Sequence, residues 1–214
     1  MKRILLVFAA LSLMVASCGK DGKDTDNNAD EPKLPGVDVG MSGIKDGKKY
    51  VLLWRDRNLG AAKVGDPGNF YNWNEAMALS AESEDAEVAT LFRDGWHLPM
   101  KSDTDALIYQ MNYKGLKSTW EDAADDALAG YELCFEATGG RLFLPATGFI
   151  NSFNGYQLNQ ENIYGGFWTS TSVGDFTQAA LFSYTKSNGI KGDGSAAKDR
   201  DKYPVRLIKE YFIE

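Results

Sequence analysis

The side chains able to do chemistry are few. His97 is the only histidine in 214 residues, so a Ser-His-Asp triad or a multi-histidine metal site would have to run through it. It stands in Gly95-Trp96-His97-Leu98-Pro99, and a structural or surface role is expected. Only two cysteines occur, Cys18 and Cys134. Cys134 lies in the apolar run Leu133-Cys134-Phe135 and is expected to be a buried, inert thiol. The chain has 30 acidic residues, but cleaving a glycosidic bond needs two carboxylates held about 5 to 9.5 Å apart. No spacing here fixes such a pair. Asp193, Asp199 and Asp201 crowd one polar stretch and are the candidates for a calcium ion of irregular geometry. No catalytic residue, no metal site and no cofactor is expected. What remains is a binding surface. Phe149, Phe153, Tyr156 and Tyr164 fall in a stretch that also carries Asn151, Asn154, Asn159 and Asn162. An exposed aromatic face stacks on a sugar ring, and amides bond its hydroxyls. Tyr156, Tyr164, Asn154 and Asn159 are the candidate ligand-binding residues; the same residues would also serve a packed loop with its aromatics turned inward.

The amino terminus carries an address. Lys2 and Arg3 precede an apolar run of twelve residues from Ile4 to Val15. A membrane-spanning helix needs about 20 apolar residues, so this run reads as the core of a secretory signal. It ends in Val15-Ala16-Ser17-Cys18, which resembles the lipobox of bacterial lipoproteins. That resemblance implies cleavage after Ser17 and diacylation of Cys18, a multi-chain lipid anchor that holds stably. With its thiol given to lipid, no intrachain disulfide is expected. Residues 18–36 hold almost no large apolar side chain and read as a tether. Their aspartates lack the spacing of an EF-hand loop. An acidic stretch just after the lipidated cysteine resembles the surface-export signals of Bacteroidetes lipoproteins. The expected address is therefore the cell envelope, on the outer membrane and facing outward. Removing residues 1–17 takes away two basic and no acidic residues, leaving 21 against 30 and a formal charge of −9. An acidic chain without a basic cluster argues against nucleic acid and against membrane contact beyond the anchor.

Residues 37–214 are expected to form one domain. Lys49-Tyr50-Val51-Leu52-Leu53-Trp54 reads as a strand. A helix should start after Asn72 or Asn74, with Glu75 in its first turn, and fray among Glu82 to Glu87. A second helix is expected to be capped at Ser102, with Asp105 three residues on and Leu107, Ile108 and Met111 as its apolar stripe. Trp120 to Leu128 suggests a third short helix that Gly130 would stop. The second half turns to Gly, Asn, Ser, Thr and aromatics, with Ala180–Tyr184 and Val205–Ile208 as the clearest strands and Gly189–Lys202 as a loop.

Three segments in order resemble one family. Phe70-Tyr71-Asn72-Trp73-Asn74-Glu75-Ala76-Met77 is similar to its "YxWxEAM" segment, and Gly95-Trp96-His97-Leu98-Pro99 to "GWRLP". Gly166-Phe167-Trp168-Thr169-Ser170-Thr171-Ser172 followed by Tyr203-Pro204-Val205-Arg206-Leu207-Ile208-Lys209 is similar to "GxFWSSTS…YSVRCVK". The pattern is that of the Fibrobacter succinogenes major paralogous domain family, common in Bacteroidetes lipoproteins and related to C-type-lectin-like and formylglycine-generating-enzyme-like folds. The family often has cysteines just before "GWRLP" and in "VRC"; here Asp94 or its neighbour and Leu207 stand in those places, both departures together. The resemblance implies an α+β, C-type-lectin-like domain, with short helices early and twisted antiparallel strands and long loops late. Its amino- and carboxy-terminal strands pair, setting Tyr50–Trp54 beside Val205–Ile213. Trp73, Trp96 and Trp168 fall in the motifs and are expected in the core. The copper-dependent oxidation of the related enzymes needs a cysteine pair and is not expected. The calcium-and-sugar motifs of C-type lectins are absent. The leading expectation is a non-catalytic surface lipoprotein that binds a glycan or a protein. The other is a structural or adhesin-like component without a small ligand.

Overall fold

The computed structural model describes residues 34–213, apart from 115, 125 and 175 and the side chain of Asn154. The signal, Cys18 and most of the tether lie outside the described residues. In chain order the elements are β1 (Val37–Lys45), β2 (Lys48–Trp54), β3 (Phe70–Tyr71), α1 (Trp73–Met77), α2 (Ala86–Arg93), α3 (Lys101–Tyr113), β4 (Lys117–Glu121), β5 (Gly130–Phe135), β6 (Gly140–Pro145), β7 (Phe149–Ile150), a 3-10 turn at Ser152–Asn154, β8 (Leu158–Asn159), β9 (Tyr164–Val173), β10 (Gln178–Thr185), β11 (Gly189–Ala197), β12 (Tyr203–Pro204) and β13 (Ile208–Phe212). Strand outweighs helix, 44% to 16%, and the ladders are antiparallel. Three three-stranded sheets run β1-β2-β13, β11-β10-β9 and β4-β5-β6.

β1 and β2 form a hairpin closed by Asp46 and Gly47, both at positive φ (53° and 76°). A two-residue loop of that hand matches the twist of the strands and favours Asp-Gly. β13 lies on the far side of β2, from Ile208 opposite Trp54 to Phe212 opposite Tyr50. The terminal pairing thus joins Tyr50–Trp54 to Ile208–Phe212, with β1 added outside it.

Neighbouring residues of the central strands point to opposite faces, and both faces are covered. Leu52, Trp54, Phe167, Phe182 and Ile208 enter one buried cluster; Leu53, Trp168, Leu181 and Leu207 enter another. Strands buried on both sides read as continuous apolar runs, which is why Val51-Leu52-Leu53-Trp54 was so visible. Trp96 and Trp168 are buried as expected, while Trp73 is half-buried and packs against the second cluster.

Several local expectations are corrected. Residues 117–121 are a strand where a helix was expected over 120–128: Trp120 stands opposite Tyr131 in the ladder and meets its ring edge-on at 5.1 Å. Gly189–Ala197, expected as a loop, is a strand paired with β10. Its glycines are there for close approach: a Cβ on Gly192 would lie 2.5 Å from Ile108 Cδ1. The helix α1 has the expected cap, with Asn72 Oδ1 accepting from Glu75 N (2.9 Å) and Glu75 Oε2 from Asn72 N (2.8 Å). The acidic stretch behind it does not simply fray, because Asp85 caps a second helix by accepting from Glu87 N and Val88 N. The next helix begins two residues earlier than expected, and Asp103, not Asp105, closes its first turn on Met100 N (2.7 Å). Val205–Leu207 lies outside any strand, and the last strand begins at Ile208.

Candidate functional site

The aromatic and asparagine residues singled out in the sequence sit on a loop between β6 and β9. Its base is pinned by backbone. Gly148 N donates to Tyr164 O (2.7 Å), Ile150 exchanges two bonds with Lys202 (3.0 and 2.7 Å), and Tyr156 N donates to Asn151 O (3.0 Å). Gly148 has φ 68°, and a Cβ there would fall 2.0 Å from Asn159 O, so the crossing of the two arms requires glycine. Tyr156, Gln160 and Asn162 hold positive φ without being glycine, a sparsely populated region that surrounding contacts must enforce.

The structure separates the two tyrosines. Tyr156 is exposed, but Tyr164 packs between Phe149 (5.5 Å between centroids) and Tyr203 (6.3 Å). Burial pushes the Tyr164 hydroxyl up, offset by bonds with Ser183 and Tyr203. Asn159 is half-buried in β8, its amide donating to Gln157 O (2.9 Å). Asn154 ends the 3-10 turn, and its side chain lies outside the described residues. The residues that accompany Tyr156 on the surface are Phe153, Leu158 and Ile163, with Phe153 82% exposed. Phe153 belonged to the aromatic stretch read from the sequence. Leu158 and Ile163 were missed, because an isolated aliphatic in a polar stretch does not reveal which way it points.

The other chemical groups are committed to the frame. His97 forms a backbone bridge with Ile208, and its Nε2 and Nδ1 stand 2.9 Å from Glu210 Oε2 and from Leu98 O. Glu210 also accepts from Lys45 Nζ (3.0 Å). Partial burial pushes the Glu210 carboxyl up, but the bonds from His97 and Lys45 outweigh it and hold it down at about 2. Burial raises the Asp103 carboxyl, which caps α3. Arg206, missed in the sequence, is wholly buried. It donates to Asn58 Oδ1 (2.9 Å), Arg55 O (3.0 Å) and Phe143 O (3.0 Å), and burial pushes its guanidinium down to about 10. Its one signal was a lone charge inside Val205-Arg206-Leu207-Ile208.

Asp193 lies on β11 while Asp199 and Asp201 follow it, and Asp201 Oδ2 is engaged by Ala197 N (2.8 Å). Among the described residues no three metal-ligating side chains gather. Cys134, expected as an inert thiol, is disulfide-bonded. The expectation assigned the Cys18 thiol to lipid; Cys18 lies outside the described residues. A depression of about 730 Å³ is lined by Gly47, Lys48, Lys49, Phe212 and Ile213, at the hairpin tip and away from the candidate loop. No family, curated protein or solved structure matches the chain.

Proposed function

We propose that this chain is a lipid-anchored, non-catalytic binding module of a bacterial cell envelope, displayed on the outer membrane, that takes a glycan or a protein on the loop between β6 and β9. The observation that carries the reading is the exposure of Phe153, Tyr156, Leu158 and Ile163 on one loop whose base is fixed by backbone bonds to Tyr164 and Lys202. Large apolar side chains held out on a pre-ordered segment lose little entropy when a partner covers them, and aromatics dominate the energy of such contacts.

The C-type-lectin-like identity belongs to the same proposal. Its support is the way the resembling segments meet. Tyr71 pairs with Tyr203, Trp168 Nε1 donates to Tyr71 O (2.7 Å), Trp73 Nε1 to Thr169 O (2.8 Å), and Ser170 N to Pro99 O (2.8 Å). The motif residues thus build a frame, and the candidate loop falls between the motifs. The His97–Ile208 bridge also brings the segments after Asp94 and around Leu207 side by side, where the family's cysteine pair would sit. No described helix is long and apolar enough to cross a membrane; attachment through Cys18 rests on the lipobox-like sequence Val15-Ala16-Ser17-Cys18.

A glycan array and a pull-down of outer-membrane proteins, run with the mature chain and with Phe153→Ala and Tyr156→Ala, test the reading. Both variants should keep their stability within about 0.5 kcal/mol and lose about tenfold or more in affinity. Tyr164→Ala should instead lose about 3 kcal/mol of stability through lost packing. Ligand binding that survives both surface substitutions would remove this loop from the proposal.

A further inference from the structure

Beside the candidate loop runs the turn that links β11 to β12, and it carries cations in an unusual setting. Lys198 Nζ lies 4.2 Å from the centroid of the Trp73 ring and donates to Ser172 Oγ (2.7 Å). Arg200 Cζ lies 5.5 Å over the Phe153 ring. Two of the acids nearby are engaged elsewhere. Asp201 Oδ2 accepts from Ala197 N, and Glu75 accepts from Asn72 N and pairs with Lys202 at 3.3 Å. Asp199 makes a long ion pair with Arg200 Nε at 3.8 Å, both side chains largely exposed, a contact that water screens and a ligand carboxylate or sulfate can replace. No described carboxylate pairs with Lys198. The turn itself is held by backbone: Trp73 N donates to Lys198 O (3.0 Å), Lys198 N to Thr177 O (3.1 Å) and Asp201 N to Ala197 O (3.2 Å).

A cation resting on a ring face is attracted without giving up its N–H donors. Arg200 keeps a planar fork for a carboxylate or sulfate, and Lys198 keeps ammonium protons beyond the one given to Ser172. On a chain of net charge −7, two such cations two residues apart, one of them over the exposed ring of Phe153 on the loop that also exposes Tyr156, ask for a ligand that is both flat and anionic. A neutral sugar uses the rings and leaves the cations idle. An acidic peptide uses the cations and has no need of the ring faces. We propose that Lys198 and Arg200, with Phe153 and Tyr156, form a subsite for an anionic glycan: the rings carry the apolar face of a sugar, and the two cations take its carboxylate or sulfate. This rests on the reading of the chain as a binding module and narrows its ligand class.

The test uses the full mature chain and four probes: polygalacturonate, the same polymer methyl-esterified, dextran sulfate, and poly-glutamate. Titrations are run on the parent protein, on Arg200→Gln, on Lys198→Gln with Arg200→Gln, and on Phe153→Ala. Binding to polygalacturonate or dextran sulfate that weakens about tenfold or more in both the charge-removed double variant and Phe153→Ala is expected, since one charge-assisted bond accounts for such a factor. Which of the two polymers binds separates carboxylate from sulfate. The esterified polymer should bind at least about tenfold more weakly than the free acid if carboxylate is read. Arg200 is exposed, so its single substitution leaves folding unchanged and still lowers affinity. Equal affinity for free and esterified polymer without binding of dextran sulfate, or poly-glutamate binding as tightly with Phe153→Ala unaffected, overturns the proposal. Failure of every anionic glycan also overturns it, while a neutral glycan or protein captured through Tyr156 would leave the wider reading standing.

Discussion

Arg206 keeps its charge where water does not reach it, bonded to Asn58 Oδ1, Arg55 O and Phe143 O. One guanidinium ties β13's approach to the segment after β2 and to β6, and only its planar fork reaches three acceptors at once. Arg206→Lys and Arg206→Met should each cost about 3 kcal/mol, because buried acceptors are left without donors. For a domain of this size that lowers the unfolding midpoint by about 6 to 12 °C; a scanning-calorimetry shift under about 2 °C for either variant would contradict this role. At the same scale, the sequence distinguished which residue types gather on the candidate loop but not their directions. Tyr156 and Tyr164 look alike in a polar stretch, yet one holds φ 61° and faces out while the other closes a ring cluster with Phe149 and Tyr203. Tyr156 is held by its N–H bond to Asn151 O and Tyr164 by the ring of Tyr203, far along the chain, so no local pattern carried the difference.

Elements were legible where local chemistry and tertiary demand agreed. The Asn72–Glu75 capping box and the apolar run of β2 are such cases. β4 and β11 are the reverse: Trp120 is held by Tyr131 across a ladder, and Gly192 of β11 admits Ile108 from α3, so long-range packing overrode helix-like and loop-like compositions. The join between elements at Glu210 has a pH consequence. Its carboxylate links β13 to Lys45 on β1 and to His97 ahead of α3, and its folded value of about 2 lies below the ordinary 4.5. A depressed carboxyl stabilises the fold above its unfolded value and loses that contribution as pH falls towards the folded one. Stability should therefore decline from about pH 4.5 to about pH 2, with a component from this residue on the order of 1 kcal/mol because solvent screens its partly exposed partners. Glu210→Gln, measured by urea unfolding across that window, should flatten the decline; a slope equal to that of the parent chain would assign acid sensitivity to other carboxyls.

At the scale of the whole molecule, the segments that resemble a lipoprotein family converge into one frame. Strands from both ends of the described chain close it side by side, and the proposed link to a surface is the lipid on Cys18. The chemistry of that link is decided by sulfur. An intrachain disulfide of Cys134 has only Cys18 for a partner in this two-cysteine sequence, whereas a diacylglycerol thioether consumes the Cys18 thiol. Cys134 is disulfide-bonded in the structure, and Cys18 lies outside the described residues, so the proposed thioether is tested directly by labelling. In a bacterial host that processes lipoproteins, labelled palmitate should enter the parent chain and not Cys18→Ala, and the variant should leave the membrane fraction. Absence of palmitate from the parent chain, or its equal uptake by Cys18→Ala, would overturn the proposed anchor, and membrane attachment would have to come from elsewhere.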